Sequence, residues 1–158
     1  MEKVAVFPGT FDPFTVGHEA IVKRALKLFD KVIVAVGKNL SKSTLFSLEQ
    51  RIDMVSEVFK DETNVEVVGY EGLTVDFCYK VGAKFLLRGL RTSAEFEYER
   101  AIGQVNKAMQ PDIETVFILT SPEHTPVNST IVRDIIVNKG DASIFLPKAI
   151  NINKYLSR

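Results

Sequence analysis

Five short runs of apolar, mostly β-branched residues alternate along the chain with stretches of helical period. Lys3 to Phe7 and Lys31 to Val36 are nearly continuous apolar runs, the form taken by strands covered on both faces. Val65 to Val68, Phe85 to Leu87 and Thr115 to Leu119 supply three more strands, the fourth closed by Arg88-Gly89-Leu90-Arg91. Between the first two, Ile21, Val22, Ala25, Leu26, Leu28 and Phe29 form one apolar stripe of a helix, with Thr15 as its N-cap. Ser47 followed by Gln50 is a capping-box pattern ahead of Leu48, Ile52, Val55 and Phe59, so a second helix starts there. Further helices are predicted over about 74–81 and about 95–109, the latter with Tyr98, Ala101, Ile102, Val105 and Met109 on one side and Pro111 as its stop. A capped helix runs from Ser129-Thr130 through Asn138, and Pro147 opens a last one.

Strands that alternate with amphipathic helices require crossovers, hence a parallel sheet, and the helices must cover both faces. The reading is an α/β fold with a doubly wound five-stranded parallel sheet, expected strand order 3-2-1-4-5, and C-terminal helices. No internal repeat, low-complexity tract or linker interrupts it, so residues 1–158 are expected to form a single domain.

Composition narrows the partners. Twenty basic and twenty acidic side chains cancel, which gives no reason to expect bulk binding to nucleic acid or to an anionic membrane. The lone cysteine, Cys78, has no internal partner and sits among Phe77, Tyr79 and Val81, where a packed, inert thiol is expected. With no signal peptide and no apolar run near 18 residues, the cytoplasm is the expected compartment.

The chemistry concentrates in residues 7–18, where a buried strand ends, a tight polar loop follows and a helix opens. Free N–H donors at that helix start form an anion site. Gly9-Thr10, Lys42, Arg88 to Arg91 and Ser121 to Thr130 all follow strands, so they open on the sheet edge where doubly wound folds bind ligands. No P-loop, no dinucleotide-binding glycine pattern, no nucleophile elbow and no Cys/His metal spacing occurs. Thr15-x-Gly17-His18, Lys42, Arg88, Arg91 and Ser129-Thr130 remain, and they suit nucleotidyl transfer, in which an oxyanion attacks the α-phosphorus of a triphosphate and pyrophosphate leaves. Such a site needs no covalent nucleophile; it holds two anions together and aims donors at shifting charge. His18 is expected to donate a hydrogen bond to phosphate whether its ring is charged or neutral, the helix N-terminus disfavouring the charged form. Arg88 and Arg91 are expected to repel each other unless an anion is shared. Asp12 reads as a turn residue before Pro13, and His124 as a loop residue.

Pro8-Gly9-Thr10-Phe11-Asp12-Pro13-x-Thr15-x-Gly17-His18, with Arg88-Gly89-Leu90-Arg91 and Phe96-Glu97-Tyr98-Glu99, closely resembles the bacterial phosphopantetheine adenylyltransferases of coenzyme A synthesis. The resemblance runs over nearly the whole chain and includes Asn64 to Gly69 and Phe145-Leu146-Pro147. It implies a Rossmann-like nucleotidyltransferase domain that makes dephospho-coenzyme A and pyrophosphate from ATP and 4′-phosphopantetheine. It further implies that Thr10, Lys42, Thr74 and Arg88 bind 4′-phosphopantetheine. ATP would be held by Thr10, Phe11, His18, Gly89, Leu90, Arg91, Glu99 and the stretch His124, Thr125, Pro126, Val127, Asn128, Ser129 and Thr130. His18, Thr10, Lys42 and Arg91 would stabilise the transition state. Mg²⁺ would come with ATP, no side chain being assigned as a metal ligand; coenzyme A would be a feedback ligand and the assembly a homohexamer. Three positions depart from the family's usual residues: Asn128 for serine, His124 for Trp or Tyr, and Thr74 for an apolar residue. Two other readings stay open: a nicotinate-mononucleotide adenylyltransferase, which shares a Ser-Thr-x-x-Arg start such as Ser129 to Arg133, and a non-catalytic adenine-nucleotide sensor.

Overall fold

Pro8 sets the geometry at the centre of the sheet. The computed structural model describes residues 1–41 and 43–156. In it β1 (Val4–Gly9) pairs in parallel with β2 (Lys31–Gly37) along its full length, from Val4 opposite Lys31 to Gly9 opposite Val36. On its other side β1 meets β4 (Phe85–Leu90) only at Ala5 opposite Phe85 and Val6 opposite Leu86. The C=O and N–H of one strand residue point the same way, and the Pro8 carbonyl is turned toward Arg88 of β4. Pro8 has no N–H to donate on that side, so the ladder stops and a crevice opens between β1 and β4.

Around this split, β3 (Val65–Tyr70) lies beside β2 and β5 (Glu114–Leu119) beside β4, giving the parallel order β3-β2-β1-β4-β5. The fold class and strand order are those expected. The winding reverses between β1 and β4, where such sheets bind ligands. Alternate residues of the strands feed separate cores. Ala5, Phe7, Val32, Val34 and Leu87 pack with α1 (Val16–Ala25), α2 (Leu48–Val58) and α5 (Ser129–Val137). Val6, Ile33, Ala35 and Leu86 pack with Val75 and Cys78 of α3 (Thr74–Val81). Burial pushes the Cys78 thiol up to about 11, which leaves it protonated and unreactive at neutral pH.

Four local expectations are corrected. Arg88, Gly89 and Leu90 belong to β4 itself, because backbone pairing with β5 continues to Leu90 opposite Leu119 regardless of side-chain polarity. Helix α1 ends at Ala25 and leaves Leu28 exposed, outside the apolar stripe. Helix α4 (Ser93–Met109) begins earlier than predicted because the Thr92 side chain caps the N–H of Glu95. Among the described residues no α-helix follows Pro147; one 3₁₀ turn, at Ser143–Phe145, precedes it and another, at Ile152–Tyr155, follows it. So short a stretch does not repay helix nucleation, and it is held by docking instead: Leu146 and Ile150 enter the core and the Tyr155 hydroxyl donates to Asp53 at 2.6 Å.

Helix α4 contains no buried residue. Its apolar side is real but the sheet does not cover it, for Tyr98 and Val105 are 70% and 58% exposed. It meets β5 through Gly103, where an added Cβ would already lie 3.4 Å from the Thr115 hydroxyl, and through the stacked edge of Phe96 on Phe117.

Candidate active site

At the start of α1 the Thr15 hydroxyl accepts from the His18 N–H at 3.4 Å, and His18 Nδ1 accepts from the Thr15 N–H at 2.9 Å. A backbone N–H only donates, so Nδ1 carries a lone pair and the neutral ring bears its proton on Nε2. The ring packs between Phe7, Phe11 and Phe14, with centroids 6.2, 5.0 and 5.2 Å away. Burial first, then the nearby guanidiniums of Arg91 and Arg88, push its pKa down to about 3. Burial, rather than the helix terminus, is therefore what chiefly keeps this imidazole neutral.

A pH prediction follows from that shift. The unfolded imidazole titrates near 6.5 and the folded one near 3, so below 6.5 the unfolded chain binds the extra proton. The contribution is whole above about 6.5 and is lost as pH falls toward 3, with a slope approaching about 1.4 kcal/mol per pH unit. His18→Asn keeps an acceptor for the Thr15 N–H and removes the titration. Its denaturation midpoint should change less between about pH 7 and about pH 5 than that of the parent; equal changes would mean that the ring titrates normally.

The two arginines already have internal carboxylates. Arg88 donates from Nε and Nη2 to Glu99 at 3.0 and 2.7 Å and from Nη1 to the Pro8 carbonyl at 2.9 Å, so its side chain bridges the split in the sheet. Arg91 pairs with Glu95 at 2.5 Å and donates to the Val127 carbonyl at 3.2 Å, while its own N–H donates to Glu95 at 2.9 Å. The sequence-based expectation that these guanidiniums need a shared external anion is thus overturned: the first turns of α4 supply one carboxylate to each.

Two cavities open along the crevice. The larger, about 990 Å³, runs past Tyr70, Thr74, Ile102 and Asn106. The smaller, about 440 Å³, is lined by Phe11, His18, Gly89, Arg91 and the stretch from Val127 to Thr130. Thr10, Arg88 and Glu99 line both, so the cavities meet at a seam made by these side chains. The imidazole of His18 and the guanidiniums of Arg88 and Arg91 therefore share one rim. Leu90, His124, Thr125 and Pro126 line neither cavity; Leu90 is buried and His124 lies against Gly17, its Nδ1 buried with no hydrogen-bond partner among the described residues. Lys42 lies outside the described residues. Asn128, not Ser129, caps α5 by accepting from the Ile131 N–H at 2.8 Å, and the Ser129 hydroxyl donates to the Pro13 carbonyl. Thr74 shares a hydrogen bond of 2.9 Å with the Tyr70 hydroxyl.

The cytidylyltransferase-like family model matches residues 6–135. A phosphopantetheine adenylyltransferase of Flavobacterium psychrophilum is 50% identical over 148 residues, 94% of this chain and 97% of that protein. The enzyme of the same name from Cytophaga hutchinsonii is 49% identical over 95% of this chain and 100% of its own length. The chain belongs to the phosphopantetheine adenylyltransferase family. Among solved structures, a putative nicotinate-nucleotide adenylyltransferase from Vibrio parahaemolyticus superposes with a TM-score of 0.69 at 21% identity, covering 94% of this chain and 96% of that one. A bifunctional NMN adenylyltransferase/ADP ribose pyrophosphatase from Francisella tularensis gives 0.70 at 20% identity, over 98% of this chain and 47% of that one. At such identities these two establish the shared fold.

Four side chains of this phosphopantetheine adenylyltransferase family member shape the site and escaped assignment from sequence. Asp12 is no ordinary turn residue: it is buried and accepts from the N–H groups of Leu45 and Phe46, each at 2.9 Å. Arg133 donates to the Asp12 carbonyl at 2.9 Å and lines the smaller cavity. Glu95 fixes Arg91. Arg51 is buried among carbonyl groups, and its only sequence signal is a cation on the apolar stripe of α2 beside Leu48, Ile52 and Val55.

Proposed function

We propose that this chain transfers the adenylyl group of ATP to 4′-phosphopantetheine, giving dephospho-coenzyme A and pyrophosphate. The observation that carries the reading, beside the family itself, is the pair of cavities that share the Thr10, Arg88 and Glu99 seam. A two-substrate transfer needs two compartments joined where the reacting atoms meet. In the reaction, a phosphate oxygen of 4′-phosphopantetheine forms a bond to the α-phosphorus of ATP. The bond from that phosphorus to the bridging oxygen breaks, and its electron pair leaves on pyrophosphate. No protein nucleophile takes part.

The smaller cavity suits ATP, with Phe11, His18, Gly89, Arg91, Glu99 and Val127 to Thr130 as its contacts. His18 donates from Nε2–H to the phosphates, a role supported by the Thr15 N–H on Nδ1, which fixes the tautomer. Thr10 and Arg88 receive the 4′-phosphopantetheine phosphate at the seam, and the longer cavity past Thr74 takes the pantetheine arm. Lys42 completes the transition-state donors in this reading. Leu90 contributes its backbone, and His124, Thr125 and Pro126 support the adenine end. Mg²⁺ travels on the triphosphate, because Glu95 and Glu99 are engaged by arginines and the cation takes phosphate and water oxygens.

Residues 1–158 act as one nucleotidyltransferase domain, in the cytoplasm where ATP is available; no helix among the described residues is long and apolar enough to cross a membrane. Coenzyme A, which carries the same pantetheine arm, competes for the larger cavity as a feedback ligand. The exposed apolar side of α4 supports assembly into a homohexamer, and sedimentation should find a species of about six times 17.7 kDa, a monomer counting against it.

Magnesium-dependent release of pyrophosphate from ATP tests the reading directly. It should require 4′-phosphopantetheine. Turnover with nicotinate mononucleotide instead would replace the acceptor, and ATP binding with no turnover on either would make the chain a nucleotide sensor.

A further inference from the structure

Arg51 is a buried cation held by carbonyl oxygens. Its Nε donates to the Phe46 carbonyl at 3.1 Å, and its Nη1 donates to the carbonyls of Thr10 at 2.7 Å and Gly37 at 2.9 Å. These acceptors come from three segments: the loop after β1, the end of β2 and the approach to α2. Burial works against the charge and lowers its pKa, while the Asp12 carboxylate partly offsets this. An apolar side chain at this position of α2 would avoid that cost. The guanidinium lines neither cavity, so it does not reach the substrates.

The segment that Arg51 holds is the one that matters for transfer. Thr10 lines both cavities, and its carbonyl carries the shortest of the three bonds. Asp12 ties the same loop back to Leu45 and Phe46, so residues 10–12 and 45–46 are joined in both directions, by a guanidinium on carbonyls and by a carboxylate on N–H groups. We propose that Arg51 is a positioning residue for the transfer reaction: by clamping the Thr10 carbonyl to the ends of β2 and of the 43–46 segment, it holds the Thr10 hydroxyl at the seam. A lysine has no planar fork with which to meet acceptors on two edges, and misplacement of a reacting group by about 1 Å costs about 10²-fold in rate.

The inference rests on the transfer function proposed above, and the test separates the two. In a double-mutant cycle, Arg51→Lys should lower kcat about 10- to 100-fold with the KM of each substrate changed less than about threefold. In the Thr10→Ala background it should add almost nothing. Equal fold losses in both backgrounds would mean that Arg51 merely supports the fold and would overturn the proposal. Asp12→Asn, which weakens the other half of the clamp and leaves Arg51 in place, should couple to Thr10→Ala in the same way, and additivity there would also count against it. Parent protein that releases no pyrophosphate with 4′-phosphopantetheine would refute the transfer reading alone. The clamp then stands or falls on amide hydrogen exchange without ligand: Arg51→Lys should speed exchange at residues 9–12 and 43–47 about tenfold or more relative to the rest of the sheet, and unchanged exchange there would overturn it.

Discussion

His18→Ala is expected to lower kcat about 10²- to 10³-fold, the loss usual for one donor aimed at transition-state charge, while the KM for ATP moves only a few-fold. The reasoning starts from the tautomer. The Thr15 N–H occupies Nδ1, so Nε2–H is the group that the smaller cavity receives, and with a pKa near 3 the ring stays neutral through the working range. A neutral donor gains most when negative charge builds on the oxygen it faces, which places its effect on kcat. Steady-state kinetics with both substrates saturating checks this. His18→Asn sharpens the test, since it retains the reciprocal cap but lacks the distal N–H: it should melt near the parent temperature at pH 7 and yet be as slow as the alanine variant. A parallel loss of ATP affinity would make His18 a ground-state contact.

Arg88→Ala should cost both activity and stability. Removal of the guanidinium leaves Glu99, whose side chain is only 15% exposed, without its partner and frees the Pro8 carbonyl inside the crevice. A hydrogen bond to a charged group contributes about 1.5–3 kcal/mol, and because the pair is partly solvated the expected loss is about 2 kcal/mol. Turnover should fall by about 10²-fold or more, through loss of a cation that lines both cavities. The double variant Arg88→Ala/Glu99→Ala separates the two effects. It should recover much of the stability, because no carboxylate is left unpaired, and recover none of the activity. Denaturant titration and pyrophosphate release measure the two readouts on the same samples. Recovered activity in the double variant would show that Arg88 serves only to neutralise Glu99.

The fold was largely legible because its signals are local. Continuous β-branched runs such as Val32 to Val36 and the Ser47/Gln50 capping box each declare an element within a few residues, and the structure contains both. The residues of the rim were legible for a related reason: they follow strand ends, and a doubly wound sheet brings strand ends together. What could not be read was the partnering of charges across long separations. Asp12 meets Leu45 and Phe46, Arg51 meets Thr10, and Arg88 meets Glu99 only after the chain has folded. In sequence Asp12 looks like a turn residue and Arg51 like a stray cation on an apolar stripe, while Arg88 declares its charge but not its carboxylate. The same limit explains the arginines, where like-charge repulsion was visible from the spacing of Arg88 and Arg91 but the carboxylates of α4 that relieve it were not. The segment after Pro147 failed differently: its start signal was present, but docking of Tyr155 on Asp53 determined its course.

The phenyl rings around His18 give the site a spectroscopic signature. The chain has two histidines and no tryptophan, so in deuterated solvent only two sets of imidazole C–H resonances have to be told apart beside the phenylalanine and tyrosine signals. Ring currents from Phe7, Phe11 and Phe14 displace the carbon-bound imidazole resonances of His18 from ordinary positions, while His124 lacks that enclosure. One isolated signal therefore serves as a built-in reporter, and its movement on addition of nucleotide follows occupancy of the rim in solution without a label.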